Sequence, residues 1–147
     1  MIKKREIKPA LDALKKIKMP AIEDKALRNG VITTHLALLK EQRKYEKEIA
    51  DYEEAHLGSY AEEREELGKI QREMAATKDR EKREDLAKKY NSHTGLFDAW
   101  EAFNKAADAL GDECVDVPTI PQDAFIEQIQ KQDFDLGQIE ALYPLFE

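Results

Sequence analysis

Cysteine is almost absent: Cys114 is the only one in 147 residues, so no disulfide can form within the chain and no thiolate-rich zinc site can assemble. Long apolar runs are missing as well. No segment approaches the roughly 18 residues that a membrane span needs, and the lysine-rich start is not followed by the apolar core of a signal peptide. The six glycines stand apart from one another, which leaves no glycine-rich loop to cradle a phosphate. The three histidines show no metal-ligand spacing. Transmembrane, secreted disulfide-rich and all-β architectures are excluded.

What fills the chain instead is helix-forming and charged. Ala, Glu, Lys, Leu and Arg supply 75 of the 147 residues, the composition of long helices or coiled coil when a 3.5–3.6 period accompanies it. Charged residues reach 37%, which argues for narrow apolar stripes on solvated helices. The net charge of −7 hides a gradient. Residues 1–50 carry thirteen Lys/Arg against seven Asp/Glu, residues 51–110 ten against fifteen, and residues 111–147 only Lys131 against nine acids. The plainest consequence is that the basic and acidic ends attract each other or are solvated; the alternative is a partner of complementary charge.

Periodicity places the elements. Ile7, Leu11, Leu14 and Ile17 share one face of a helix over 4–18, with Pro9 in its first turn, and Met19-Pro20 ends it. A long helix is expected over 21–56. Val31, Leu38, Tyr45 and Tyr52 recur every seven residues, with His35, Gln42, Ile49 and His56 four places later, a coiled-coil-like seam. Leu36 and Leu39 widen its apolar face, and Asn29-Gly30 invites a break. Leu57-Gly58-Ser59 reads as the hinge. Gly58 suits a left-handed helix end, and Ser59 with Glu62 forms a capping-box pattern for the next helix. A connection this short makes the flanking helices antiparallel neighbours.

The second arm is expected over 59–110, with a wholly charged, solvated stretch from Lys78 to Asp85 and a kink or new start between Asn91 and Gly95. Two short helices follow the extended Val115-to-Pro121 segment, the second capped by Asp135 with Gln138 three places on. The fold class is therefore all-α: a single helical domain over 1–147. A long antiparallel hairpin (20–57 and 59–110) packs with the short N-terminal helix (1–19) and an acidic C-terminal segment (111–147).

Chemistry is sparse. Glu53 and His56 form one Glu-x-x-His pair, where a di-iron bundle needs two such pairs and two further glutamates. Ser59, Ser92 and Cys114 have no base and oxyanion donors arranged around them in sequence. The chain is read as a non-enzyme with no catalytic, cofactor-binding or metal-ligating residue. Direct nucleic-acid binding is disfavoured by the acidic balance. Glu62, Glu63, Glu65, Glu66 and Glu73 instead present carboxylates that can stand in for phosphates on a partner's nucleic-acid groove. Phe97, Trp100 and Phe103 form an aromatic stripe that is core where the C-terminal helices cover it and a partner surface where they do not.

The order of parts resembles that of a family of small uncharacterised helical proteins of tailed phages and prophages. The resemblance is carried by the opening helix ending at Met19-Pro20 and by the Lys44-Tyr45-Glu46-Lys47-Glu48 run. It is carried also by the acidic close, Ile120-Pro121 followed by Leu136-Gly137-Gln138-Ile139-Glu140-Ala141-Leu142. Residues 91–110 depart from that pattern. The resemblance implies action in the cytoplasm of a bacterial host cell and carries no catalytic residues. The expected function is binding to a protein partner without turnover, in its sharp form inhibition of a CRISPR or other defence nuclease. A phage scaffold or assembly chaperone, self-associating as a homodimer or larger through the Val31–Tyr52 seam, is the alternative. A small-ligand binder with a pocket beside Trp100 and His93 is a third class.

Overall fold

The computed structural model describes residues 1–147. The chain is all-α apart from one two-residue ladder. In order it forms β1 (Ile2–Lys3), α1 (Ile7–Leu14), α2 (Lys25–Leu57), α3 (Ala61–Ala76), α4 (Arg80–Asn91), α5 (Thr94–Asp112), β2 (Cys114–Val115), α6 (Gln122–Ile129) and α7 (Leu136–Leu142). No helix is long and apolar enough to cross a membrane. Contacts within the chain gather into two compact units, residues 1–47 with 109–147, and residues 48–108. α2 and α5 each contribute residues to both.

The first unit holds the larger core. Ile7, Ala10, Leu11 and Leu14 turn one face of α1 inward, as their spacing requires, and meet Ile22, Leu38, Phe125 and Leu142. Pro9 sits in the first turn of α1, where its missing N–H leaves no helical bond unmade. β1 pairs antiparallel with β2, Ile2 opposite Val115, and Lys4 N–H extends the ladder to the Glu113 carbonyl at 2.9 Å. The end charges meet at this ladder. Lys4 Nζ lies 2.7 Å from the Glu113 carboxylate and Arg5 Nη2 2.6 Å from that of Asp112, so part of the charge gradient is resolved within the chain.

α2 begins where Asp24 Oδ1 accepts the Ala26 and Leu27 amides, at 2.9 and 3.2 Å. It runs through Asn29-Gly30 without interruption, so the break invited there does not occur. Val31 and Leu38 of the heptad seam are buried in the first unit, and Tyr45 and Tyr52 are half-buried. Val31 and Leu38 are therefore not free to join two copies. Thr34 is buried beside them and donates its hydroxyl to the Pro118 carbonyl at 2.9 Å.

The second unit contains the hairpin. The end of α2 and α3 run antiparallel about the turn Gly58–Tyr60, with Glu53 of one facing Arg64 of the other at 3.1 Å. The local chemistry of that turn differs from expectation. Gly58 has no positive φ, Ser59 makes no capping bond to α3, and the link is a 3-10 turn instead. The buried Leu57 holds the turn against Leu67, Ile70 and Leu96. The segment 59–110 is three helices and not one run. It breaks at 92–93, within the anticipated window, and also at 77–79, where a continuous charged stretch was expected. There Asp79 accepts the Glu81 amide at 3.0 Å and caps α4, while Arg83 Nε donates to the Thr77 carbonyl at 2.6 Å and so serves the end of α3. α4 folds back along α3, bringing Tyr90 Oη within 3.3 Å of Gln71 Nε2.

Candidate functional site

The residues singled out from sequence lie in the second unit, and most have neighbours of their own. On α3, Glu62, Glu65, Glu66 and Glu73 are exposed. At about 100° per residue, Glu62, Glu66 and Glu73 fall within about 40° of one another. Lys69 lies between Glu66 and Glu73 along the helix, about 20° outside that arc, and Arg72 lies beside Glu65. Cations therefore interrupt the acidic face, which does not present a single sign of charge. Glu63 is separate from the others. It projects from the same side as Leu67 and Ile70, and its carboxylate meets His93 Nδ1 at 3.2 Å.

Phe97, Trp100 and Phe103 are half-buried against the Leu57–Leu67–Ile70–Leu96 core. Phe97 meets Tyr90 at a ring-centroid distance of 5.3 Å, and Phe103 meets His56 at 6.5 Å. Arg64 lies 5.6 Å over the Trp100 ring while it pairs with Glu53. Glu53 and His56, the single Glu-x-x-His pair, are thus engaged with Arg64 and Phe103. No group of three or more His, Cys, Asp or Glu side chains converges as a metal site. Cys114 is exposed in β2, and Ser92 Oγ donates to the Lys89 carbonyl at 2.6 Å.

The surface that stands out is in the first unit and was only touched on by sequence. α1 ends at Leu14, short of the expected stop at Met19-Pro20, which forms a separate 3-10 turn (Met19–Ala21); Ile22 buries itself in the return loop, and α2 comes back antiparallel along α1. A mostly apolar concavity of about 240 Å³ opens between them, lined by Leu14, Ile17, Met19, Val31, Ile32 and His35. Ile32, which lines it, and Leu36, one turn further along α2, have 46% and 59% of their surface in water, unusual for such side chains on a helix that buries its neighbours. The furrow continues along the same two helices toward Lys8, Lys15 and Arg43, with Lys15 lining both stretches. The sequence signal for it was Leu36, which widens the apolar face beyond the heptad seam; Ile32, one turn before it, completes the pair.

A second apolar surface of the same unit lies on α7 and the turn after it. Leu136 and Tyr143, seven residues apart and so on one helix face, are 75% and 73% exposed. Asp135 begins this helix with a reciprocal cap, accepting the Gln138 amide at 2.8 Å while its own amide donates to Gln138 Oε1 at 2.9 Å. The other side of α7 packs on α1, where Gly137, Gln138 and Ala141 face Pro9, Ala13 and Lys16. When the chain is compared with known proteins, no family model, curated protein or solved structure matches it.

Proposed function

We propose that this chain is a non-catalytic protein-binding module that engages its partner through the furrow between α1 and α2. The observation that carries the reading is the exposure of Ile32 and Leu36 on the helix that walls an apolar concavity, whose continuation carries charges of both signs, Lys8, Lys15 and Arg43 with Asp12 and Glu46. Helix-in-groove docking uses such a surface, with apolar anchors for affinity and rim charge for orientation. The interrupted acidic face on α3 gives phosphate mimicry less support than this furrow. In the phage or prophage setting that the order of parts implies, the partner is a host complex, and a defence nuclease such as a CRISPR effector is the specific target we put forward.

The test uses purified defence nucleases, the full chain in excess, and the double variant Ile32→Glu/Leu36→Glu. The wild type is expected to co-elute with a target on a sizing column and suppress its cleavage, and the variant to lose both. If no such complex is shifted or inhibited, the host-target reading falls. If the variant inhibits as well as the wild type, the furrow is not the contact.

A further inference from the structure

α7 and the residue after it present an apolar seam to solvent. At about 100° per residue, Leu136, Ile139, Glu140 and Tyr143 fall within an arc of about 100°. Gly137, Gln138 and Ala141, which face α1, lie on the opposite flank. The spacing is that of heptad positions a, d, e and a, by which one helix receives another lengthwise. Leu136 and Tyr143 are mostly in water, and Ile139 between them is half-buried. The helix is also fixed before anything binds. The Asp135–Gln138 cap starts it and the buried Leu142 anchors its other side, so a partner meets a preorganised face. Two anchors offer far less than the roughly 800 Å² per partner of a standard protein interface, which suits a single helix rather than a broad surface.

Charge specifies the occupant. Residues 132–147 hold four Asp/Glu and no Lys or Arg. Glu140 is exposed within the seam and Asp133 is exposed just ahead of it. The cations nearest to hand are turned elsewhere. Lys131 Nζ lies 3.9 Å from the Glu23 carboxylate, and Lys16 lines the hollow on the α1 side of α7 together with Asp12. Charges flanking an apolar helix seam decide which partner it accepts, and carboxylates accept Lys or Arg while repelling Asp or Glu. We infer that the Leu136–Tyr143 seam docks a basic amphipathic helix of a partner protein, with an apolar stripe along one face and Lys or Arg beside it. The seam is separate from the α1–α2 furrow, and the inference does not rest on the reading of that furrow. Apolar contact supplies the attraction. The carboxylates select the sign of the partner and set its orientation, so the contact weakens as salt rises.

Amide chemical shifts of the full chain, titrated with designed helical peptides, test this. The probe carries Leu at heptad positions a and d and Lys elsewhere; a Leu/Glu counterpart and a lysine-only peptide are the controls. The Leu/Lys peptide is expected to produce saturable shifts clustered over residues 133–143. Leu136→Ser/Tyr143→Ser is expected to weaken its binding at least about tenfold, a loss of about 1.4 kcal/mol. Glu140→Lys is expected to weaken it about two- to fivefold and to strengthen binding of the Leu/Glu peptide, as reversal of one exposed charge should. Glu140→Lys leaves the apolar seam intact, so it decides the matter even where the double variant loses structure. Shifts that are absent from α7 or centred on another element, variants that bind the Leu/Lys peptide like the wild type, or a Leu/Glu peptide that binds the wild type equally well would each overturn the inference. So would a lysine-only peptide of equal affinity, because the acidic charge would then act without the seam.

Discussion

Two side chains show how position decides consequence at the residue scale. Gly30 lies inside α2, and a methyl group built on it would touch nothing within 4 Å. Glycine there keeps backbone freedom in the unfolded chain and gains no packing in return. Gly30→Ala is expected to stabilise the protein by about 0.5–1 kcal/mol, visible as a rise in Tm of about 1–4 °C. An unchanged or lower Tm would mean that the helix there needs the glycine. Phe125 is the opposite case. It is fully buried and meets Phe134 edge-on at 6.3 Å and Phe146 at 5.4 Å. Phe125→Ala is expected to cost about 3–5 kcal/mol, a large share of the roughly 5–15 kcal/mol available to a domain of this kind. Urea unfolding would read it as a large fall in midpoint. Neither residue was singled out for this from sequence, because a clash-free glycine and a three-ring contact are both defined by neighbours far along the chain.

Helix ends illustrate the scale of the element. Asp135 with Gln138 and Ser59 with Glu62 carry the same local pattern, yet only the first forms a reciprocal cap. At residues 57–60 the chain delivers Leu57 to the core of its unit through a tight 3-10 turn, in which Ser59 makes no capping bond. Conversely, Asp79 caps α4 in the midst of a charged stretch that had looked continuous. Local charge favoured a long solvated helix. Apolar Leu86 and Tyr90 decided in favour of the break, because folding back lets them join the core near Ile70 and Met74. Asp79→Ala is therefore expected to destabilise by about 1 kcal/mol, and Ser59→Ala by less than about 0.5 kcal/mol. Thermal unfolding of the two variants side by side checks both. Equal effects would mean that the caps are not as described.

The two compact units differ in what holds them at the scale of the whole molecule. Sixteen residues form the buried apolar cluster of the first unit, against Leu57, Leu67, Ile70 and Leu96 in the second. α4 buries no residue fully, and its Leu86 and Tyr90 are only half-buried. Opening free energy follows buried apolar contact, so α3 and α4 are expected to exchange their amide hydrogens well before α1 and the first turns of α2. Native-state hydrogen exchange would show this as protection factors lower in α3 and α4 by orders of magnitude. Uniform protection across both sets would contradict the division. The ion pairs of Lys4 and Arg5 with Glu113 and Asp112 belong to the first unit and add to its closure, the exposed Arg5–Asp112 pair by less than about 1 kcal/mol.

By itself the amino-acid sequence determined the helical class, the inward face of α1, the turn after Leu57, and the cap at Asp135. Each of these follows from residues within a turn or two of one another. It determined too that a disulfide within the chain is impossible. Only the tertiary structure decided which apolar residues are covered. Phe97, Trp100 and Phe103 read as core or as partner surface according to what covers them, and they pack on a four-residue core, while Ile32 and Leu36 remain in water. Periodicity can say that a helix has an apolar face. What lies against that face depends on where the chain returns, and here the return is set by a break at 77–79, by α7 settling on α1, and by Met19-Pro20 bringing α2 back along α1 with a furrow between them.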